Sequence, residues 1–449
     1  MGVIIWSAKI IALMVLLILG AYAVRHIVIA LRRLFGPRRM NYMDLAGYHQ
    51  PRLSVLLPMH NEEAVAPDVL EALAESNYPR EKGLLEVIPI NDHSTDRTGK
   101  ILDEYARRYS WIRPIHRMNG VRGKAAALQL ATGVAKGEII IVFDADYIPG
   151  KSLLHFLAAP FADPGVGAVM GRVIPCNVGN SLLTRLLDLE RAGGYQIGQQ
   201  ARHDMGMIVQ FGGTVGGVRR AALDAVGGWN PGSLTEDTDL TLRLVCQGWQ
   251  VVYINRAECY EEVPETWEAR RRQIERWAIG HTDCMHRYLG SLLRTPHLGW
   301  LGKLDGLFLL CSYWTAPLIL AGWLASAILF FSGESYLLPL SVFFLASTSF
   351  NTFGNLGSFL EIGSSGILDA VEKRLLLLPL NLLNFMFSTT TIIAALGKYY
   401  WRRAQGLPAW EKTQRFRHID QGSAEAGAPV KRGLESVRAK AAASGSDRD

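Results

Sequence analysis

The residues best suited to chemistry fall into separate polar groups along the middle of the chain. The first is Asp144-Ala145-Asp146, which follows the apolar run Ile139–Phe143. If that run is a strand, residues i and i+2 point to the same side, so two carboxylates converge at its carboxyl end. Unrelieved, such neighbours repel and one acid is pushed towards its protonated form. A hard divalent cation relieves the repulsion, and Mg²⁺ is usually held by one or two carboxylates plus substrate phosphates. A metal–diphosphate site is therefore the economical reading. The turn Arg122-Gly123-Lys124 enters a helical pattern and adds positive charge for the same anion.

Two further groups carry a choice of readings. Thr235-Glu236-Asp237-Thr238-Asp239 precedes the amphipathic stretch Leu240–Cys246. It reads as a helix start, with Thr235 as cap and acids in the first turn, or as the source of a general base. In Asn91-Asp92-His93-Ser94-Thr95-Asp96, capping accounts for Ser94 or Thr95 and competes with a ligand role at Asp96. It leaves Asp144 and Asp146 unexplained. Further on, Trp267–Trp277 has a helical pattern that puts Gln273, Arg276 and Trp277 on one face, at i, i+3 and i+4. Amide and guanidinium donors beside an indole plane suit a hydroxyl-rich sugar, while Arg270–Arg272 suit a basic helix on a membrane surface.

These groups need elements to hold them. The apolar runs Leu53–Pro58, Leu85–Ile90, Ile112–His116 and Ile139–Phe143 alternate with helical patterns at Val65–Ser76, Arg97–Tyr109 and Lys124–Ala135. That alternation predicts βαβ units and a mostly parallel sheet, with ligands at the carboxyl ends of the strands. The polar groups, including His60-Asn61-Glu62-Glu63, lie just there. Other nucleotide sites fail on spelling. No G-x-G-x-x-G follows a strand. A P-loop ending at Gly123-Lys124 would need Gly and Ser or Thr where Met118 and Ala125 stand, and no G-x-S-x-G elbow is present.

The 449 residues allow two or three domains, and 49% hydrophobic against 20% charged residues excludes a disordered chain or a disulfide miniprotein. The net charge of +6 is mild, and the hydrophobicity comes in blocks at the two ends. This is the plan of a membrane protein with a polar middle, not of a nucleic-acid binder. Ile4–Val24 is apolar except for Lys9, and a crossing helix needs about 20 such residues. Ala21-Tyr22-Ala23 offers a signal-cleavage pattern, but Arg25, Arg32, Arg33, Arg38 and Arg39 follow at once, and such flanks stay cytoplasmic. An uncleaved anchor is expected over 1–40, with the domain at 50–285 in the cytoplasm and 286–303 interfacial.

Apolar blocks Leu304–Phe331, Tyr336–Phe353 and Leu375–Gly397 predict three or four spans within 304–400, with Gly354–Arg374 interfacial or an added span. Three spans would leave the C-terminus outside, whereas Lys398, Arg402, Arg403, Lys412, Arg415 and Arg417 argue for inside, and both counts stand. No charge relay is evident in these blocks, where only Asn351, Asn355 and Asn381 stand out, so transport is not expected. Residues 419–449 have a disordered-tail composition. The five cysteines, at 176, 246, 259, 284 and 311, lack paired spacing and read as free thiols.

Taken together, the motifs resemble the inverting, membrane-bound family-2 glycosyltransferases, which include cellulose, hyaluronan, chitin-oligosaccharide and poly-N-acetylglucosamine synthases. Seven short motifs stand in family order over roughly residues 50–285: N-E-E at 61–63, N-D-H-S-T-D at 91–96, R-G-K-A-A-A-L at 122–128, D-A-D at 144–146, G-G-T-V-G-G at 212–217, T-E-D at 235–237 and Q-I-E-R-W at 273–277. The resemblance implies an α/β, Rossmann-like GT-A domain, cytoplasmic and flanked by transmembrane helices, in a multi-pass protein of the cell (inner) membrane. It implies a nucleotide-sugar donor, a UDP-sugar, bound with the help of Asn61, Glu62, Asp92, Lys124 and Asp144. Asp92 would meet the uracil or ribose, and Asp146 would ligate Mg²⁺ or Mn²⁺. Asp237 would be the general base, with Glu236, Gln273, Arg276 and Trp277 beside the acceptor and diphosphate. Asn91, His93 and Ile274 depart from the family pattern, which often has an acid, a glycine and a basic residue there. The leading expectation is a processive synthase that extends a polysaccharide; the alternative is a single transfer to a lipid acceptor. An inactive scaffold would need all these acids to be structural.

Overall fold

The apolar runs of the polar middle become strands, and the polar stretches after them become loops at the strands' carboxyl ends. The computed structural model describes residues 2–39, 42–332, 356–369 and 372–405. Strands β1 (Leu53–Met59), β2 (Leu85–Asp92), β3 (Ile115–Arg117), β4 (Ile139–Val142), β5 (Ile148–Pro149), β6 (Val166–Pro175), β7 (Gly216–Arg219) and β8 (Gln250–Glu261) form one sheet in the order β3-β2-β1-β4-β7-β6-β8-β5. β3, β2, β1 and β4 are parallel, with Leu53 of β1 opposite both Leu85 and Ile139. Helices Ala66–Ala74, Thr98–Arg108 and Lys124–Val134 lie between them in the chain. β7 then runs antiparallel to both β4 and β6, and β5 to β8, so the sheet is mostly parallel, as expected, with two reversed strands.

Burial explains why the first strands were legible. All of β2 and β4 is buried, and six of the seven residues of β1 are. Strands covered on both faces read as continuous apolar runs rather than alternating ones. Two polar residues break the pattern. Ser54 of β1 donates from Oγ to Glu86 Oε1 of β2 at 2.5 Å, and the Lys136 N–H donates to the same oxygen at 2.5 Å. Arg113 pairs with Glu86 from the side.

The described parts of Met40–Asn180 and Gln210–Pro264 form one compact unit, which holds the sheet. Those of Met1–Arg39, Ser181–Val209 and Glu265–Gln414 form another. Residues 181–209 and 265–285, inside the expected 50–285 block, thus cluster with the apolar helices.

That second unit is helical. Its N-terminal helix Gly2–Phe35, the segment Ser312–Phe331 and the segment Arg374–Gln405 are the described helices long and apolar enough to cross a membrane. Ala8 and Ala12 meet Ala325 in one buried cluster, and Val15 and Leu19 meet Ile319 in another. Small side chains let helix backbones approach closely where water supplies no driving force. The expected block Leu304–Phe331 is not one helix: Trp300–Leu310 ends before a 3₁₀ turn at Ser312–Trp314, and Thr315–Phe331 follows. Polar pairs occur here that the sequence did not announce. Arg25 pairs with Asp305 at 2.6 Å and His26 with Glu361 at 2.9 Å. Glu361 lies on Leu356–Leu368, a helix of 13 residues within the expected interfacial stretch. At about 1.5 Å per residue it is too short to cross the hydrocarbon core. The block Tyr336–Phe353, Asn351, Asn355, the cations Lys412, Arg415 and Arg417 and the tail 419–449 lie outside the described residues. All five cysteines are free thiols.

Burial alone would raise the Glu86 carboxyl, but bonds from Ser54, Lys136 and Arg113 outweigh it and hold the group below the usual carboxylate range. A carboxyl with a depressed pKa stabilises the fold above its unfolded pKa, and loses that contribution as pH falls through the folded value. Glu86→Gln is therefore expected to destabilise the sheet unit by about 2 kcal/mol at neutral pH. The gap from the native protein should shrink on acidification, as read from thermal unfolding midpoints in a pH series.

Candidate active site

Lys124 is the first residue of helix Lys124–Val134, and its Nζ lies 2.7 Å from Asp144 Oδ1 and 3.3 Å from Glu236 Oε1. Three chain segments far apart in sequence therefore meet at one ammonium. β4 ends at Val142, so Asp144 and Asp146 lie in the turn beyond the strand. Strand alternation is not what places them. Instead the Asp144 N–H donates to Thr214 Oγ1 at 3.1 Å, and Asp144 is half-buried while Asp146 is buried. Glu236 and Asp237 are the first two residues of helix Glu236–Cys246, so the helix-start reading is correct for both. It does not exclude a chemical role, because the same turn holds Glu236 against Lys124. Thr235 precedes this helix without a side-chain capping bond.

The electrostatics follow from this crowding. Burial would lower the Lys124 ammonium, but Asp144 and Glu236 outweigh it and raise the group above its ordinary value. Burial raises the Glu236 carboxyl, and Asp237 adds to the rise against the pull of Lys124. Among the described residues, no three His, Cys, Asp or Glu side chains meet as a ready-made metal site. Asp144 and Glu236 already turn oxygens to a cation here, with Asp237 next to Glu236, and a hard ion held by them would need further ligands from a bound anion.

Asp92 closes β2 and is buried. Its Oδ1 accepts from Arg117 Nη1 at 2.6 Å and lies 2.8 Å from His93 Nδ1, while its Oδ2 accepts from the Gly123 N–H at 2.9 Å. The carboxylate thus shapes the loop that delivers Lys124. His93 has φ of +58°, a left-handed conformation that glycine adopts with less strain. This is the physical reason for the family's glycine there; here the histidine accepts the strain and turns its ring to Asp92. Asn61, at φ +54°, locks the neighbouring loop: its N–H donates to Ser94 Oγ at 3.0 Å and its Oδ1 accepts from the Thr95 N–H at 2.8 Å. The Glu62 N–H donates to Thr98 Oγ1 at 2.9 Å, and Glu62 is buried. Asp96 stands one residue before the cap position of the helix that follows and accepts from the Thr98 N–H at 3.0 Å.

The glycine pairs divide by role. A Cβ on Gly216 would come within 2.5 Å of the Phe211 ring, and one on Gly217 within 2.7 Å of Ile141. That pair lets β7 pack into the sheet. Gly213 is different: at φ +72°, its added Cβ would sit 3.0 Å from Asp237 Cβ and 3.2 Å from Glu236 Oε1. It borders the acids directly. Gly213 and Thr214 belong to the G-G-T-V-G-G stretch, whereas Arg117 is a site neighbour outside the seven motifs.

Gln273, Arg276 and Trp277 lie in the other unit, on helix Trp267–Arg294. There Gln273 Oε1 accepts from Arg270 Nη1 at 2.8 Å, and the guanidinium carbons of Arg191 and Arg270 each lie 5.5 Å from the Trp277 ring. Arg270 is not a membrane-surface cation. It is buried and bonds both oxygens of Glu190, at 2.8 and 2.7 Å, while Asn384 donates to Glu190 at 3.0 Å. Arg271 is exposed and Arg272 half-buried, and both pair with Glu268. Ile274 is buried on the packing side of the helix, which accounts for an apolar residue where the family pattern has a cation. Burial, then the Arg276 charge, lowers His281 to about 4 and keeps it neutral.

Residues 51–280 match the family described as "Glycosyltransferase like family 2". The chain belongs to this family. Among family relatives, the "Probable glycosyltransferase YdaM" of Bacillus subtilis (strain 168) is 33% identical over 299 residues, 66% of this chain and 70% of that protein. The "Beta-monoglucosyldiacylglycerol synthase" of Synechocystis sp. is 36% identical over 274 residues, 60% of this chain but only 56% of its own length. The fold is shared with the mannosyltransferase PcManGT from Pyrobaculum calidifontis, solved in complex with GDP-Man and Mn2+. That structure has a TM-score of 0.53 at 21% identity, over 83% of this chain and 99% of the other. The sheet unit is thus the GT-A fold of a family-2 glycosyltransferase, in a chain that also carries apolar helices able to cross a membrane.

Gly213→Ala is expected to cut glycosyl transfer by about tenfold or more, because the strained backbone and the new methyl both displace Asp237 and Glu236. Unfolding midpoint and transfer rate measured side by side check this: the rate should fall far more than stability does.

Proposed function

We propose that the chain is a membrane-embedded inverting glycosyltransferase that moves a sugar from a UDP-sugar to a hydroxyl of a membrane lipid. The observation that carries it is the meeting of Asp144, Glu236 and Lys124 beside Asp237, beyond the carboxyl end of β4. Inversion takes a single in-line displacement. In this reading Asp237 accepts the proton of the acceptor hydroxyl as its oxygen attacks the anomeric carbon. The bond to the diphosphate breaks, and its electron pair leaves with the UDP.

Each remaining residue takes a part in that step. Asp92, Asn61 and Glu62 shape and line the nucleoside side, and Lys124 turns to the diphosphate. Glu236 stands beside the base, and Asp144 approaches the nucleotide. Gln273, Arg276 and Trp277 serve the acceptor and the leaving group. Asp144 and Glu236, which already gather around a cation, fit the neighbourhood of a Mg²⁺ or Mn²⁺ ion, and the family resemblance makes Asp146 its principal ligand. Such an ion would neutralise charge on the departing diphosphate. The Synechocystis relative named for a glycolipid product supports the lipid acceptor, and the apolar helices would bring a cytoplasmic catalytic unit to its substrate in a multi-pass protein of the cell (inner) membrane. The second reading, polysaccharide extension, rests on the Q-x-x-R-W set at 273–277, which processive family members share.

The experiment is product analysis. Full-length protein in lipid nanodiscs is given UDP-glucose, UDP-galactose, UDP-N-acetylglucosamine or UDP-glucuronate, with and without EDTA. Lipid extracts are read by mass spectrometry and aqueous products by size. The expected result is a lipid carrying one or two sugars, formed with one donor and abolished by EDTA. A high-mass polymer would replace the acceptor assignment, and EDTA-insensitive transfer would remove the metal.

A further inference from the structure

We propose that Lys124 is an exchangeable counter-cation: its ammonium occupies the acidic site until a donor diphosphate draws it away, so that divalent metal and donor enter together. The inference deepens the metal-and-donor reading above and rests on it.

Its first support is placement. Lys124 Nζ contacts carboxylates from two separate loops, Asp144 at 2.7 Å and Glu236 at 3.3 Å, and Asp237 follows Glu236 on the same helix. A single ammonium thus does for these acids what a divalent ion would otherwise do. A metal arriving alone at Asp144 would meet a positive charge already seated on that carboxylate. Like charges at such range in a partly buried site disfavour joint occupancy.

Its second support is the helix. Lys124 is the first residue of an 11-residue helix, where the backbone presents unpaired N–H groups and a positive partial charge. A cation is disfavoured at that end, and the acids are what hold it there. A diphosphate is favoured at the same end, and it gives the ammonium a new partner within reach of a side-chain rotation. Asp92 fixes this pivot by accepting the Gly123 N–H, immediately before Lys124. Movement of the ammonium to phosphate frees Asp144 and Glu236 at the moment that metal is needed. Binding of either ligand then tightens the other by the same factor.

The test is Mn²⁺ binding by the full chain in detergent, followed by the electron paramagnetic resonance signal of the free ion, with and without uridine diphosphate. The native protein is expected to bind Mn²⁺ weakly alone and at least about tenfold more tightly with uridine diphosphate. Lys124→Met is expected to bind Mn²⁺ alone about tenfold more tightly than the native protein, with most of the nucleotide's effect gone. Lys124→Arg keeps the charge and should behave as native. The exchange is overturned if Lys124→Met does not strengthen Mn²⁺ binding in the absence of nucleotide. It is equally overturned, without recourse to any variant, if the native protein binds Mn²⁺ alone as tightly as it does with nucleotide. Asp146→Asn separates this from the underlying reading. If that variant holds Mn²⁺ with uridine diphosphate as the native protein does, the metal assignment itself fails. Loss of binding there with no gain in Lys124→Met removes only the exchange.

Discussion

The ion pair between Lys124 and the carboxylates of Asp144 and Glu236 is the contact on which the site depends. Buried acids repel one another, and burial alone raises Glu236 while working against the charge on Lys124. Placing one ammonium between the two carboxylates offsets both costs at once. It also fixes three loops with respect to each other: the start of helix Lys124–Val134, the turn after β4 and the start of helix Glu236–Cys246. Removing the ammonium would leave both carboxylates without the counter-charge they share.

Around that contact the sheet unit is built to hold short polar loops still. Asp92 spends its carboxylate on Arg117, His93 and the Gly123 N–H, so a residue expected to touch the nucleotide also organises the approach of Lys124. Asn61 and Glu63 tie the loop after β1 to residues 94–97 in the same way. The helical unit applies a similar device with different residues, where Glu190 binds Arg270 and Asn384 together. That network holds Arg270 and Gln273 on the helix that also carries Arg276 and Trp277.

Much of this was legible from residues alone, for reasons that differ by element. β1, β2 and β4 declared themselves because strands covered on both faces are continuous apolar runs, and three helices between strands were placed to within a residue or two. β7 was not legible as a strand, since Gly216-Gly217-Val218-Arg219 gives no pattern; its glycines are explained by Phe211 and Ile141, which no local rule shows. Asp144 and Asp146 were recognised by type and spacing, yet the strand argument for them failed because β4 stops at Val142. Arg270 was grouped with Arg271 and Arg272 because a run of like charges looks solvated, whereas its partner Glu190 is 80 residues away. The pairs Arg25–Asp305 and His26–Glu361 escaped for the same reason. Long-range partners decide what a charge does, and they are set by packing.

The central claim is that Asp237 accepts the acceptor's proton in a site whose donor end is built from other residues. The measurement that tests it most directly is Asp237→Asn, with donor affinity by calorimetry and transfer rate determined on the same preparation. The account predicts donor affinity within about threefold of native while transfer falls by about 10² to 10⁴, the range for a lost general base. Transfer at the native rate in Asp237→Asn would contradict it.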